Sequence, residues 1–410
     1  KITQSGITMK EQRNMDTLYR AKPYIPEESK QDVLDRFDNI LSTGGLIQGK
    51  YVAEFEELVR KRIWVDNAVA TTSCGTGLET VLIASGIKGK KFIVPTQTFA
   101  ASVNCIIRSG NTPIITDVNS ETQCLDFDII KREVEKDKDI AGVVLVMMAG
   151  LIPPDILDIE AYCKDKGLFL LTDDAHSLGA NYYDEYTDSI RFAGTFGDAG
   201  VFSFYPSKII TTGEGGMITT NNSELAEKCR VVRNHGTVRN DGKYEGLDYG
   251  YTCEMPSTNY RMTEFCAALG ISQMEHLDDW LEKRNDIADE YEWHLGKLDW
   301  LSTPISPHNV YQSYWQYIVR IRKHWDREEF CKKLLDEHKI PTANAYSPLC
   351  HQQKIYKNYL SSFGFKNSEK MIKEIFSLPM YVELSTDNIN YIARGIKSWM
   401  TDNIEVNEGC

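Results

Sequence analysis

Several common signatures are missing from the sequence, and each absence argues against a class of protein. The ten cysteines form no C-x-x-C pair, which argues against a zinc ribbon, a thioredoxin-type motif and a disulfide framework. Neither G-x-G-x-x-G nor G-x-x-x-x-G-K-[ST] occurs, which weakens the dinucleotide-binding and nucleoside-triphosphatase interpretations. No apolar run is long enough to cross a bilayer, so no membrane partner is expected.

Positive charge is scarce relative to negative charge. The chain has 46 Lys and Arg against 59 Asp and Glu, a formal net charge of −13. This excess of acid opposes attraction to phosphate backbones, so a nucleic-acid partner is not expected. The opening segment KITQSGITMKEQRN is polar and lacks a signal-peptide core. We therefore expect a cytoplasmic protein whose cysteines are free thiols in a reducing compartment.

The length and the hydrophobic pattern predict the fold class. A chain of 410 residues exceeds what one hydrophobic core usually serves, so two domains are expected. Short apolar segments alternate with helical segments between about residues 68 and 220, which predicts a mainly parallel α/β sheet flanked by helices. The segments predicted to be strands are 91–95, 112–118, 140–150, 167–174, 199–204 and 215–220.

The pattern changes after about residue 262. Long helical stretches and one strand-like segment, 313–321, predict a smaller C-terminal α+β domain. Two amphipathic helices, 27–45 and 50–63, are expected to lead into the large domain. The predicted division is an N-terminal extension at 1–25, a large α/β domain at 26–270 and a small domain at 271–410.

A glycine-containing turn is the first candidate site. The segment Ser-Cys-Gly-Thr-Gly includes Gly75, Thr76 and Gly77 and opens a helix directly after a strand-like segment. Backbone N–H groups at a helix N-terminus attract anions, glycine allows close approach, and a threonine hydroxyl adds a donor. The turn is either a phosphate site or a plain helix cap, and Cys74 stays open as a candidate because it lies in this turn.

An acidic segment is the second candidate. Asp173, Asp174 and His176 lie where a strand-like segment ends, which is where open α/β sheets bind ligands. Two adjacent acids and one histidine are a poor ligand set, so no metal is expected. Solvated loop residues remain one alternative. The other is a carboxylate paired with a cationic ring nitrogen of a cofactor, with His176 adding a hydrogen bond.

A lysine and an aromatic residue complete the candidates. Lys208 lies in FSFYPSKIITTGEGGMITT, between two strand-like segments, where it is either solvated or able to form a Schiff base. Phe99, in PTQTFAAS, is either a core residue or a ring that stacks on a flat cofactor. A phosphate turn, a carboxylate, an aromatic ring and a lysine are together what pyridoxal phosphate (PLP) requires.

These motifs resemble those of the DegT/DnrJ/StrS sugar aminotransferases, which are fold-type I PLP enzymes. The likeness runs from about Tyr24 to about Trp399. The resemblance implies the α/β class, with a mainly parallel sheet in a large PLP-binding domain and a smaller C-terminal α+β domain. The segments that carry it are SCGTGLE, PTQTFAAS, TDDAHSLGA, GDAGVFSFYPSKIITTGEGGMITT, STNYRMTEFCAALG, AYSPLCHQQKIY and FSLPMY.

The resemblance implies a role for each matching residue. Lys208 would be the Schiff-base lysine, and Asp173 would pair with the pyridine nitrogen. His176 would lie near the cofactor ring, and Phe99 would stack on it. The residues implied to hold the phosphate are Gly75, Thr76, Gly77, Ser203 and, from the partner subunit of a homodimer with shared active sites, Asn259.

The implied reaction moves an amino group from an amino acid, usually glutamate, to a keto sugar that is usually nucleotide-linked. Three alternatives remain: a PLP-dependent sugar dehydratase, which has histidine at the lysine position; a non-catalytic regulator of the same fold; and a nicotinamide-dependent sugar oxidoreductase or epimerase. Substrate specificity is expected to lie in the polar loops near 181–195, 237–256 and 305–313.

The sequence departs from the family pattern at a few positions near these motifs. Thr172 stands where the family often has Glu, and Asp174 replaces a small residue. Leu78 and Glu79 follow the glycine turn where Ala and Leu are usual, and Met147 falls where a His is common. None of these changes removes a residue that the resemblance assigns to the cofactor.

Overall fold

The computed structural model describes residues 17–239, 250–322, 325–344 and 346–407. The strands are β1 (Asn67–Thr71), β2 (Lys91–Pro95), β3 (Thr112–Thr116), β4 (Ile140–Val146), β5 (Phe169–Asp173), β6 (Asn181–Asp184), β7 (Ser189–Phe192), β8 (Ala199–Ser203), β9 (Gly216–Thr220), β10 (Thr237–Arg239), β11 (Tyr251–Cys253), β12 (Leu301–Ser302), β13 (Val310–Tyr311), β14 (Tyr317–Ile321) and β15 (Ile375–Leu378).

The α-helices surround these strands, and the helices 27–45 and 50–63 expected from the sequence are both present. They are α1 (Glu27–Thr43), α2 (Lys50–Ile63), α3 (Cys74–Ala84), α4 (Ala100–Arg108), α5 (Phe127–Lys136), α6 (Ile156–Lys166), α7 (Ser223–Arg233), α8 (Glu264–Met274), α9 (Leu277–Leu295), α10 (Arg327–His338), α11 (Lys366–Met371) and α12 (Thr386–Asn407).

Seven strands form the central sheet, in the order β1-β9-β8-β5-β4-β2-β3. The neighbours β8, β5, β4, β2 and β3 pair in parallel, whereas β9 is antiparallel to both β1 and β8. The predicted mainly parallel α/β sheet is therefore confirmed, and each of the six segments predicted to be strands contains a strand of this sheet.

Both faces of the central sheet are covered, which explains its continuous apolar strands. Along β4, Val143 and Leu145 pack into the core on one face, and Val144 packs into the core on the other. All three side chains are fully buried. Successive side chains of a strand point to opposite faces, so a strand buried on both sides must be apolar throughout.

A separate core lies toward the C-terminus. Its members all fall between residues 287 and 399, and they include Tyr291, Phe330 and Phe376. A three-stranded antiparallel sheet, β12-β14-β15, crosses this region. Helix α9 joins the two cores, because Leu281 packs in the first and Tyr291 in the second. The predicted boundary at residue 270 falls within α8, and the division into domains stays a prediction.

The carboxylate of Glu264 connects α8 to the start of α2. Its oxygens accept hydrogen bonds from the backbone N–H groups of Gly49 (2.8 Å), Tyr51 (2.8 Å) and Val52 (3.0 Å). The first turn of a helix leaves its N–H groups without intrahelical partners, and the helix dipole favours a negative charge there. Glu264 is buried, so it caps α2 from a distant part of the chain.

Replacing Glu264 with alanine is expected to lower the free energy of unfolding by about 2–3 kcal/mol, because buried N–H donors lose a charged acceptor. Glu264→Gln, which keeps one acceptor oxygen, should lose less. Guanidinium denaturation followed by circular dichroism measures the change. Glu282→Ala, at an exposed position of α9, is the matched control. Equal effects of E264A and E282A would show that the cap contributes nothing.

No helix in the described part of the chain combines the length and apolar character needed to cross a membrane.

Candidate active site

A cavity of about 550 Å³ opens near the carboxyl ends of β5 and β8. Its size is typical of sites for small molecules and cofactors. It lies where an open α/β sheet binds ligands. Six of the residues expected from the sequence line it: Gly75, Phe99, Asp173, His176, Ser203 and Lys208.

Asp173 ends β5 and is almost completely buried. Its carboxylate accepts hydrogen bonds from the Ser102 hydroxyl (2.6 Å) and the Ala175 N–H (3.2 Å). The Ser102 hydroxyl lies 2.7 Å from the Thr98 hydroxyl, so a short chain of hydroxyl groups leads to the acid. Burial raises the pKa of the Asp173 carboxyl, and these hydrogen bonds act in the opposite direction because they stabilise the carboxylate.

The thiol of Cys74 is the second neighbour of this carboxylate. Its sulfur lies 3.6 Å from Oδ1 of Asp173 and also lines the cavity. Burial, with the nearby Asp173 charge, raises the pKa of the Cys74 thiol well above its ordinary value. A thiol that stays protonated is a poor nucleophile, so we assign Cys74 a packing role in the wall of the cavity.

Lys208 lies on a turn that follows β8, and it lines the same cavity. The turn is held by the Lys208 N–H, which donates to the carbonyl of Tyr205 (2.9 Å). It is also held by the Thr211 hydroxyl, which donates to the carbonyl of Phe204 (3.0 Å). Burial lowers the pKa of the Lys208 amine to about 8. An amine with this pKa is partly uncharged near neutral pH, as a nucleophile or proton carrier requires.

The glycines behind this lysine allow close packing. A Cβ at Gly216 would lie 2.4 Å from the carbonyl carbon of Ser73 and 2.6 Å from the nitrogen of Cys74. Such contacts are not tolerated, so β9 can lie against the glycine turn only with glycine at this position. Gly216 thus brings β9, which follows the lysine turn, against the start of α3.

His176 is held in one orientation by three groups. Its Nδ1 accepts from the N–H of Ala149 (3.3 Å), which places the ring proton on Nε2, 2.7 Å from the Tyr346 hydroxyl. The imidazole stacks on the indole of Trp315, with ring centres 3.8 Å apart. Burial and the charge of Lys208 lower the pKa of His176 well below its ordinary value, so the ring is neutral.

The three residues of the glycine turn occupy different environments. Gly75 lines the cavity, whereas Thr76 and Gly77 are not among the lining residues. The Thr76 hydroxyl accepts from the Ser73 N–H (3.0 Å) and lies 3.0 Å from the Thr72 hydroxyl, within a capping box that begins α3. A Cβ at Gly77 would lie 2.6 Å from Cγ1 of Val201, so this glycine allows α3 to pack on β8.

Phe99 and Asn259 are the most exposed of the predicted residues. Phe99 is 65% exposed at the cavity rim, where its ring centre lies 6.3 Å from that of Tyr346. Asn259 is exposed and is not among the lining residues. Its side-chain oxygen accepts from the N–H of Arg261 (3.1 Å).

Two of the departures from the family pattern form a buried pair. The Thr172 hydroxyl donates to the carboxylate of Asp174 (2.5 Å), which also accepts from the Ser177 hydroxyl (3.0 Å). Burial raises the pKa of Asp174 to about 7. Asp174 does not line the cavity, unlike its neighbour Asp173. The described residues contain no group of three or more His, Cys, Asp and Glu side chains that could hold a metal ion.

Glu79, a third departure from the family pattern, is paired with side chains from distant parts of the chain. Glu79 in α3 accepts from Nε of Arg108 (2.7 Å) and from the hydroxyl of Tyr260 (2.9 Å). The acid is therefore paired, although its helix faces the apolar core. Met147 is fully buried and is not among the lining residues.

The expected specificity loops are partly described. Residues 181–192 form the hairpin β6–β7, to which β13 is added as a third strand. In the 237–256 loop, β10 and β11 pair in an antiparallel manner, and residues 240–249 lie outside the described residues. No residue in the described parts of these loops is among those that line the cavity.

Three residues with clear positions in the site were not recognised in the sequence: Ser102, Trp315 and Tyr346. Trp315 and Tyr346 line the cavity, and Ser102 supports Asp173. Ser102 lies in the first turn of α4, three residues after Phe99. That spacing is the local indication that Ser102 lies near the site. Trp315 and Tyr346 come from the C-terminal part, and no local pattern connects them to Lys208.

Comparison with known proteins adds family evidence. The model of the DegT/DnrJ/EryC1/StrS aminotransferase family matches residues 27–397. The spore coat polysaccharide biosynthesis protein SpsC of Bacillus subtilis is 32% identical over 387 residues, which cover 92% of this chain and 95% of that protein. GDP-perosamine synthase of Escherichia coli O157:H7 is 30% identical over 383 residues, which cover 93% and 98% of the two chains.

A solved structure shows the same architecture. The crystal structure of a DegT/DnrJ/EryC1/StrS aminotransferase from Brucella abortus superimposes with a TM-score of 0.81 at 26% sequence identity. The superposition covers 91% of this chain and 96% of that chain.

Proposed function

Because this chain belongs to the DegT/DnrJ/EryC1/StrS aminotransferase family, we propose that it transfers an amino group from an amino acid to a nucleotide-linked keto sugar. The amino donor would be glutamate by family expectation, and Lys208 would hold PLP through its amine. The observation that carries the proposal is the placement of Lys208 and the buried Asp173 in one cavity of about 550 Å³.

The residues of this cavity fit PLP. The N–H groups of Cys74 and Gly75 begin α3, where a helix has no internal partners for them, so they can bind the cofactor's phosphate. Thr76, Gly77 and Ser203 belong to the same proposed phosphate site. Asp173 supplies a buried anion for the pyridine nitrogen, and Phe99 supplies an exposed ring at the rim.

PLP, when bound, supplies an aldehyde that bonds to amines and a ring that accepts electrons. The chain's own residues then bind, orient and move protons. Lys208 would hold the aldehyde and, when its amine is free, would carry a proton as general acid and base. Asp173 would keep the ring nitrogen protonated. His176, neutral and fixed by Ala149, supplies a hydrogen-bonding group beside the ring without adding charge.

The names of the relatives support the proposed substrate class. One relative is named GDP-perosamine synthase, a name that indicates a GDP-linked product for that protein. We therefore infer a nucleotide-linked keto sugar as the acceptor here. The test is mass spectrometry of products after incubation with PLP, glutamate and a panel of keto sugars linked to GDP, UDP or dTDP. A product with the mass of the aminated sugar supports the proposal.

Two other outcomes of that panel would contradict it. A deoxygenated product would indicate the sugar dehydratase, an outcome that Lys208 disfavours because those enzymes have histidine there. Absence of any product with every sugar, while the protein stays folded, would favour a non-catalytic binding role.

We also propose that the active sites are completed in a homodimer. Asn259 is exposed and does not line the cavity of its own chain, so it is free to reach the phosphate in a partner's site. Mixing an Asn259→Ala chain with a Lys208→Ala chain should restore activity to one site per mixed dimer. That site combines Lys208 from the first chain with Asn259 from the second.

Replacing Ser102 with alanine tests the support of Asp173. The hydrogen bond from Ser102 stabilises the charged form of the Asp173 carboxylate, and the variant would lose it. Because hydrogen bonds to charged groups contribute about 1.5–3 kcal/mol, transamination should slow by roughly tenfold. Single-turnover rates with glutamate and the PLP dissociation constant measure the effect. Ser109→Ala, at the residue that directly follows α4, is the control. A rate equal to wild type would show that Ser102 does not act on Asp173.

A further inference from the structure

Trp315 touches the turn that carries Lys208. Its indole N–H donates to the carbonyl of Ser207 at 2.7 Å. Ser207 directly precedes Lys208, so this hydrogen bond restrains the backbone from which the lysine side chain extends. Trp315 itself is buried just before β14, in a part of the chain remote in sequence from the lysine.

The face of the same indole meets the lysine amine. Nζ of Lys208 lies 3.9 Å from the centre of the Trp315 ring. This distance is well within the range of about 6 Å over which an ammonium is attracted to the face of tryptophan, the aromatic side chain that binds cations best. One side chain therefore contacts both the backbone and the amine of the lysine segment.

The position of Trp315 does not depend on the lysine. Its backbone N–H donates to the carbonyl of Ala149 at 3.0 Å. The N–H of Ala149 donates to Nδ1 of His176, whose ring stacks on the indole at an angle of 12°. The Ser313 hydroxyl binds the carbonyl of His176 at 2.7 Å. The indole is therefore preorganised by contacts on its other sides.

The proposed reaction creates a need for such a surface. In the proposed reaction the lysine amine would leave the cofactor in the first half-reaction and return to it in the second. When it is free and protonated, a partly buried ammonium pays a desolvation cost that a nearby ring face reduces. A fixed resting position also keeps the amine within reach of the cofactor carbon that it must attack.

We propose that Trp315 is a positioning residue for Lys208. Its indole N–H holds the turn, and its ring face holds the amine whenever that amine is not bonded to the cofactor. This inference rests on the proposed role of Lys208 in the reaction.

The test follows imine formation when PLP is added to the apoprotein. In this step the amine nitrogen bonds to the aldehyde carbon and one water is released, so the rate depends on the uncharged amine and rises with pH. Visible absorbance gives the rate, and its pH profile gives the midpoint. The variants are Trp315→Phe, which keeps a ring but loses the N–H donor, and Trp315→Leu, which loses both.

The two variants have different expected results. W315F should form the imine roughly fivefold more slowly, with a nearly unchanged midpoint, because one hydrogen bond of about 1 kcal/mol is lost. At pH values above the midpoint, where the amine is uncharged in every variant, W315L should be slower still, by roughly tenfold or more. Its midpoint should move to lower pH. The direction follows because a ring that stabilises the ammonium raises the pKa of the amine, and its removal lowers that pKa.

A matched control exists on the surface. Trp293 is 70% exposed, and Nζ of Lys297 lies 4.9 Å from its ring centre. Trp293→Leu removes a similar lysine–indole contact outside the cavity, and it should leave both rate and midpoint unchanged. Circular dichroism checks that each variant is folded, and Trp315→Met replaces W315L if the latter does not fold.

Each outcome decides one part of the inference. A W315F rate equal to wild type would overturn the role of the N–H. A W315L midpoint that is unchanged or moves to higher pH would overturn the role of the ring face. Failure of the proposed function itself looks different, because the wild-type protein would then form no borohydride-reducible adduct at Lys208.

Discussion

Lys208→Ala is expected to reduce transamination by about 10²–10⁴-fold, the range that a positioned acid–base group contributes. The variant would lose the proton carrier and the only group proposed to hold the aldehyde covalently. The lowered pKa of about 8 explains why this lysine is suited to the role. At pH 7 roughly a tenth of such an amine is uncharged, against less than about a thousandth for an ordinary lysine.

The measurement combines activity with direct detection of the adduct. After borohydride reduction, peptide mass spectrometry should find the phosphopyridoxyl group on the peptide that contains Lys208 in the wild type and nowhere in K208A. Lys208→Arg, which keeps the charge, should be as inactive as K208A. Lys228→Ala, on the exposed side of α7, should behave as wild type. Full activity of K208A, or an adduct on another lysine, would refute the assignment.

Asp173→Asn should leave PLP bound but slow the half-reaction with glutamate by roughly 10²–10³-fold, as when a preorganised charge-stabilising group is removed. The amide occupies the same space and can still accept from Ser102. It carries no negative charge, so it cannot keep the pyridine nitrogen protonated. Stopped-flow absorbance measures the half-reaction, and equilibrium dialysis measures PLP binding.

The pH dependence gives a second readout for Asp173. Burial raises the pKa of this carboxyl, so its charge is present at higher pH and is lost as pH falls through that pKa. The wild-type rate should therefore decline on the acid side, and D173N should lack this decline. Asp165→Asn, on the exposed side of α6, is the control. An unchanged half-reaction rate in D173N would contradict the role of Asp173.

Local sequence patterns were sufficient for the elements of the central sheet. The segments predicted at 91–95 and 140–150 contain β2 and β4, because a strand covered on both faces must be a short and continuous apolar run. The orientation of β9 was not predictable in this way. Its apolar pattern is the same whether it pairs in parallel or antiparallel, and the structure shows it antiparallel to both neighbours.

The sequence was sufficient to predict those residues of the candidate site that lie at or just after the end of a strand. Asp173 ends β5, and Lys208 lies on the turn that follows β8. The carboxyl ends of both strands lie near the cavity, and strand ends can be recognised locally. Gly77 stays a proposed phosphate residue, and in the structure its missing Cβ also allows α3 to pack on Val201 of β8. A glycine motif does not reveal whether a ligand or another element makes the close approach.

The sequence by itself determined the fold class, the family motifs and the three ionisable residues proposed to act on the cofactor, because each depends on neighbours within about one strand or helix. Only the tertiary structure decided which distant groups surround them. Glu264 caps a helix that begins more than 200 residues earlier, and Trp315 lies against Lys208 from more than 100 residues later. Tertiary packing brings such residues together, and no local sequence pattern indicates which distant segments will be in contact.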